Sequence, residues 1–158
     1  MKLEVIKAFQ ESTFDVFKTM LNVEVTSDDA VPSNQQIFCS VSGTIGLTGS
    51  IAGDVIVCLD ESLAMHVTGA MLGQAYTEID DDVIDAVGEL TNMIAGSAKG
   101  RLEQYDLSLA LPTVILGAGH RIGFRQGIMP MKIPFTCEWG TFSIKLGLVE
   151  AKTPQPIG

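Results

Sequence analysis

Apolar residues recur at helical spacing over residues 5–21, through Val5, Ile6, Phe9, Thr13, Val16, Phe17, Met20 and Leu21, and predict an amphipathic helix. A polar connector over residues 26–36, with Pro32, leads to two β-like runs at 37–47 and 51–59, and Gly49-Ser50 marks the hairpin turn between them. Asp60 can cap a helix through Leu63, Val67, Ala70 and Met71, which Gly73 would end in the left-handed conformation. Thr77-Glu-Ile-Asp80 resembles a capping box, and Asp80, Asp81 and Asp82 suit the positive end of a helix dipole, so a long helix should follow. Its apolar side is Val83, Ile84, Val87, Leu90, Ile94, Ala95, Ala98 and Leu102, while Asp85, Glu89, Asn92, Gly96, Lys99 and Glu103 lie on the other.

Beyond Pro112 the period changes to two. Strands are predicted at 113–116, 131–139 and 141–149, and the last two read as an antiparallel hairpin with one buried face, Ile133, Phe135, Cys137 and Trp139 alternating with polar neighbours. Gly117-Ala-Gly-His120 reads as a strand connection, and Met129-Pro-Met131 as core and turn. A helix followed by a β meander thus occurs twice. The order predicts an α+β fold, an antiparallel sheet with long helices packed on one face, built by a degenerate internal helix-strand duplication.

A chain of 158 residues suits one domain, placed at 1–150, with 151–158 as a flexible C-terminal tail carrying two prolines and no apolar period. With 46% hydrophobic and 18% charged residues the composition is globular. A net charge of −9 repels phosphate backbones and anionic lipids, which argues against nucleic acid and membrane partners; it serves either solubility or the steering of a basic partner. Cys39, Cys58 and Cys137 show no zinc spacing and read as reduced core residues. Neither a secretory signal nor an apolar run of the roughly 20 residues that span a bilayer is present, so the expected location is cytoplasmic.

The chemistry concentrates on one row. Asp85, Glu89 and Asn92 are spaced four and three apart, so all three can meet the same external object. Glycines at 88, 96 and 100 each cost a helix interior roughly 1 kcal/mol relative to alanine. They leave room for close approach beside the row or, at Gly88 and Gly100, for packing against another helix of the chain. Asn92 has no titratable proton, yet its amide can orient a water for in-line attack on a phosphoryl group, and Glu89 can pair with a partner lysine. Asp85 and Glu89 alone are too few ligands for a metal, and none is expected. His66 and His120 have no nearby nucleophile pattern, and Arg121 and Arg125 are candidates for acidic contacts.

At Asp85-x-x-x-Glu89-x-x-Asn92 the chain resembles the chemotaxis phosphatase family that includes CheC, CheX and FliY. The opening helix with Phe14-Asp-Val-Phe-Lys-Thr-Met-Leu21, the duplicated element order and Val87-Gly-Glu-Leu-Thr-Asn-Met-Ile-Ala-Gly96 are similar to the CheX branch. The resemblance implies a CheC-like fold and a phosphatase for the aspartyl phosphate of a CheY-like response regulator. Glu89 and Asn92 would be catalytic, Glu89 by binding the partner's lysine and Asn92 by placing the water. Asp85, Gly88, Gly96 and Lys99 would contact the partner, and Mg²⁺ would be held by the partner receiver domain and not by this chain. The first helix offers Glu11-Ser-Thr-Phe14 without the asparagine, which implies one active face per chain. Pro112 is the candidate for a downstream family proline, at a shorter interval than the family's. The resemblance also implies a homodimer, for which the apolar edge of the final strands is suited. Two other readings use the same residues: a receiver-binding or scaffolding module without chemistry, and a structural dimerisation module with an acidic solubilising face.

Overall fold

Three α-helices and eight strands are present among residues 1–33 and 38–151, which the computed structural model describes; the helices and five of the strands follow predicted stripes, while three two-residue strands do not. In chain order they are α1 (Leu3–Leu21), β1 (Thr26–Ser27), β2 (Val31–Pro32), β3 (Phe38–Thr48), β4 (Ile51–Leu59), α2 (Glu61–Leu72), α3 (Asp81–Arg101), β5 (Ser108–Leu109), β6 (Thr113–Arg121), β7 (Met131–Cys137) and β8 (Gly140–Glu150), with a 3-10 turn at Glu103–Tyr105. All strand pairs are antiparallel. The sheet runs β1-β7-β8-β4-β3-β5, with β2 also on β7 and β6 also on β3.

That order carries the duplication. β4 pairs with β8 at the centre, from Ile51 opposite Glu150 to Cys58 opposite Ser143, and β3 and β7 flank them. The leading strands of each half cross over, the two-residue β1 and β2 to β7, and the short β5 with the longer β6 to β3. α1 leads one half and α3 the other, and each has a buried threonine at the matching place: the Thr13 hydroxyl donates to the Phe9 carbonyl at 2.7 Å and that of Thr91 to Val87 at 2.8 Å. The main core lies between the helices and one sheet face, around Phe9, Phe17, Leu63, Leu90, Ile94, Phe135, Ile144 and Leu146. Phe17, Phe142 and Phe135 stack in series at centroid distances of 4.9 and 5.0 Å.

Several expectations are corrected. The connector after α1 holds β1 and β2, short edge strands that tolerate Pro32. The cap of α3 is Asp80, whose carboxylate accepts from the Val83 amide at 3.1 Å, and Thr77 stands outside the helix. Gly117-Ala-Gly-His120 is part of β6, which reaches Arg121 by a register shift between Cys39 and Val41 on β3, with Gly117 and Gly119 at positive φ. The whole of 142–148 on β8 is buried, on both faces; β4 and β7 pair with it on either side, and Phe124 lies over Gly147, where a β-carbon would overlap its ring. Lys145 is in this stretch, and burial, followed by neighbouring Lys132, holds its ammonium below the usual range.

The final strands are not free edges, since β1 and β2 cover β7; among the described residues the longest strand paired on one side only is β6, with exposed Ile115 and Leu116. Cys39 and Cys58 are joined by a disulfide, their Cα atoms brought to 5.4 Å although 19 residues separate them, and Cys137 is the free thiol. Burial raises the Cys137 pKa. Met129 is exposed and is not core. Ala151 is held by a 2.9 Å bond from its amide to the Ser50 carbonyl, while the rest of the expected tail, 152–158, and Ile37 of the first predicted strand lie outside the described residues. Among the described residues no helix is long and apolar enough to cross a membrane.

Candidate functional site

The buried stripe of α3, Val83, Ala86, Val87, Leu90, Thr91, Ile94, Ala95 and Ala98, seats the helix on the sheet and on α1, and so determines which side chains face out. Its ends favour the same helix: Asp81 and Asp82 in the first turn and Lys99 and Arg101 in the last oppose the macrodipole. On the sheet side the approach is close at Gly43 of β3, because a β-carbon there would overlap the Thr91 hydroxyl. Asn92 follows Thr91 and is exposed, as are Glu89 and Asp85. The row therefore stands as a ridge on a helix whose opposite side is locked down.

Two hollows flank this ridge. One, of about 540 Å³, is lined by Ile84, Asp85, Gly88, Glu89, Asn92, Leu111, Pro112 and Val114. The other, of about 320 Å³, lies toward the end of α2 and is lined by Met71, Leu72, Asp82, Asp85, Ala86 and Glu89. Gly88 borders the first hollow: a β-carbon there would meet Val114 of β6 at 3.6 Å, an ordinary contact. At Gly96 and Gly100 a β-carbon would meet nothing within 4 Å. The glycines of α3 are thus not required by another helix of this chain, and Gly88 instead keeps the hollow wide beside Glu89 and Asn92. Gly96 and Lys99 are exposed farther along α3 and line neither hollow.

The matching positions of α1 are committed to structure. Glu11 pairs with Arg101 at 3.0 Å, and Asp15 pairs with the same guanidinium. Phe14 packs edge-on against Phe135, and Ser12 and Thr13 are buried. The other sequence candidates do not reach the ridge hollows. His66 stacks on Trp139 with centroids 5.5 Å apart, and His120 lies 2.6 Å from the Ser42 hydroxyl and 2.7 Å from the Gly117 carbonyl. Arg125 is exposed, in the segment after β6. Among the described residues no group of three or more His, Cys, Asp or Glu side chains can hold a metal ion.

Sequence reasoning picked out the ridge and Pro112 but missed Leu72, Leu111 and Val114. The signal for Leu111 was present in Leu-Pro, an apolar residue ahead of a proline between two strands, where nothing in the local pattern demands burial. As chemistry, the ridge offers two carboxylates for cations and a carboxamide that both donates and accepts hydrogen bonds, beside an open hollow with an apolar wall.

This arrangement of ridge, glycine and facing proline sits within a region, residues 41–136, that matches the family model described as chemotaxis phosphatase CheX. The chain belongs to the CheX family. It is 30% identical over 126 residues to the CheY-P phosphatase CheX of Thermotoga maritima, covering 77% of this chain and 81% of that protein. The crystal structure of CheX from Vibrio vulnificus superposes with a TM-score of 0.86 at 32% identity, covering 92% of this chain and 99% of that one. CheX from Desulfovibrio desulfuricans gives 0.85 at 31% identity, covering 94% and 100%. The resemblance noted at Asp85, Glu89 and Asn92 thus extends to the α+β architecture of the CheX family.

Proposed function

We propose that the chain accelerates hydrolysis of the aspartyl phosphate on a phosphorylated CheY-like response regulator. The observation that carries this reading is the exposed ridge of Glu89 and Asn92 beside a hollow kept open by Gly88, within a chain 30% identical to a CheY-P phosphatase. In the reaction, water attacks phosphorus in line, the bond from phosphorus to the aspartyl oxygen breaks, and inorganic phosphate leaves with the regulator's carboxylate restored. Asn92 orients the attacking water through its carboxamide. Glu89 pairs with a lysine of the regulator, and Asp85, with Gly88, Gly96 and Lys99 along the same face, contacts the docked partner. Mg²⁺ is held by the receiver domain, where it neutralises charge on the phosphoryl oxygens.

With Glu11 occupied by Arg101 and Phe14 in place of an asparagine, each chain presents one active face. Two chains associate through the one-sided edge of β6, where Ile115 and Leu116 are exposed. Sedimentation should then return twice the chain mass of 16.9 kDa. The protein works in the cytoplasm, where its regulators are phosphorylated. The direct test follows phosphate loss from several phosphorylated receiver domains with and without the wild-type chain. Faster decay of at least one supports the reading, whereas unchanged decay of every regulator that binds would leave a docking module without chemistry.

A further inference from the structure

Leu111 is 88% exposed, more than any other large apolar side chain of the described residues, and it stands in the same hollow as Glu89 and Asn92. An isolated exposed leucine needs no explanation. This one is different because its backbone is pinned: the Ala110 amide donates to the Gly46 carbonyl at 2.9 Å, and Pro112 restricts Leu111 to extended conformations. The side chain is held out toward solvent by a segment fixed on β3. Half-buried Ile84 and Val114 continue the apolar surface below it, and across the ridge Leu72, 54% exposed, borders the second hollow with Met71.

The carboxylates and the carboxamide are thus bracketed by two apolar flanks, a polar centre with greasy shoulders. A charged ridge alone would attract a basic rim from a distance but would hold it weakly and without a defined depth. An apolar anchor at a fixed position beside the ridge supplies what is lacking, since burying a leucine is favourable and sets how far the partner can descend.

We infer that Leu111 is the apolar anchor for the docked receiver domain, entering an apolar depression on the rim of the regulator's phosphorylation site, with Leu72 bracing the opposite flank. This rests on the response-regulator reading of the ridge. Leu111 touches none of the reacting atoms; its work is to hold the receiver domain on the ridge beside Asn92. Specificity among regulators follows from whether their rim offers the depression.

The test measures the dissociation constant of a labelled receiver domain, held in its phosphorylated form by beryllofluoride and Mg²⁺, for wild type, Leu111→Ser, Leu111→Met and Leu72→Ser. In parallel, kcat and KM are measured for loss of phosphate. Leu111→Ser should weaken binding and raise KM by about ten-fold or more while kcat stays within about two-fold, as loss of a buried leucine contact predicts. Leu111→Met should bind almost as wild type, and Leu72→Ser should show a smaller loss. Because both leucines are exposed, folding should be unaffected, which a thermal melt checks. An unchanged dissociation constant in Leu111→Ser overturns the anchor, as does loss of self-association with regulator binding intact. A wild type that binds a regulator through Leu111 without speeding its decay sinks the phosphatase reading and leaves the anchor standing. Failure to bind any regulator overturns both.

Discussion

The hydroxyl of Thr91 occupies the space where a β-carbon of Gly43 would stand. This contact sets how closely α3 lies on β3, and therefore the height of Asn92, the next residue, above the sheet. Gly43→Ala should force the helix outward and cost about 1–3 kcal/mol, as overpacking does. Since the main overlap is with the hydroxyl, adding Thr91→Ala should recover most of that loss. Urea unfolding of the two single variants and the double checks it, and simple additivity would show that the contact does not limit the helix.

Tyr105 donates a hydrogen bond to the Glu4 carboxylate, which ties the turn after α3 to the first turn of α1. That bond, and then desolvation, push the phenol up to about 12 from its ordinary value near 10. A pKa raised by folding means that the native state holds the proton more tightly, so the stabilisation is complete below about pH 10 and is lost as pH rises through about 12. Ultraviolet titration of Tyr76→Phe should show one high phenolate transition, and adding Glu4→Gln should bring it down. A transition at the ordinary value with Glu4 in place would contradict this.

The disulfide between Cys39 and Cys58 joins β3 to β4 and leaves Cys137 free. Closing a loop of 19 residues should contribute about 3 kcal/mol through the unfolded chain. Under denaturing conditions, thiol titration should find one thiol without reductant and three with it, and the urea midpoint should fall on reduction. Three thiols without reductant would rule out the bond in solution.

Glu89 is exposed, so its neutralisation should leave folding intact and act on docking. Glu89→Gln should weaken regulator binding by about ten-fold at low salt and flatten its dependence on ionic strength. A salt dependence equal to that of the wild type would place the regulator's lysine elsewhere.

The ridge was legible in sequence because helical period alone separates Asp85, Glu89 and Asn92 from the stripe of Val83, Val87, Leu90 and Ile94. The cap at Asp60 and the turn at Gly49-Ser50 were legible for a similar reason, since each depends on neighbours in the chain, whereas α3 begins at an Asp80 cap and not at the expected Thr77 box. What escaped depends on pairing between distant segments. The two-residue strands β1 and β2 have no period to detect and exist only through β7. On the β8 face that read as solvent, Gly147 lies under Phe124 from a segment distant in sequence, and the disulfide forms because a hairpin folds. Leu111 reads locally as part of a loop, and its place beside Glu89 is set by β5 and β6 together.

The central claim is that the Asn92 carboxamide places the water that removes the phosphate. The measurement that tests it most directly is the decay of a phosphorylated receiver domain under saturating wild type or Asn92→Ala, with binding of the beryllofluoride form measured alongside. Removing one group that acts in the transition state should lower the accelerated rate by about 100-fold while the dissociation constant stays within about two-fold. An Asn92→Ala chain that binds normally and speeds decay as wild type does would contradict the account.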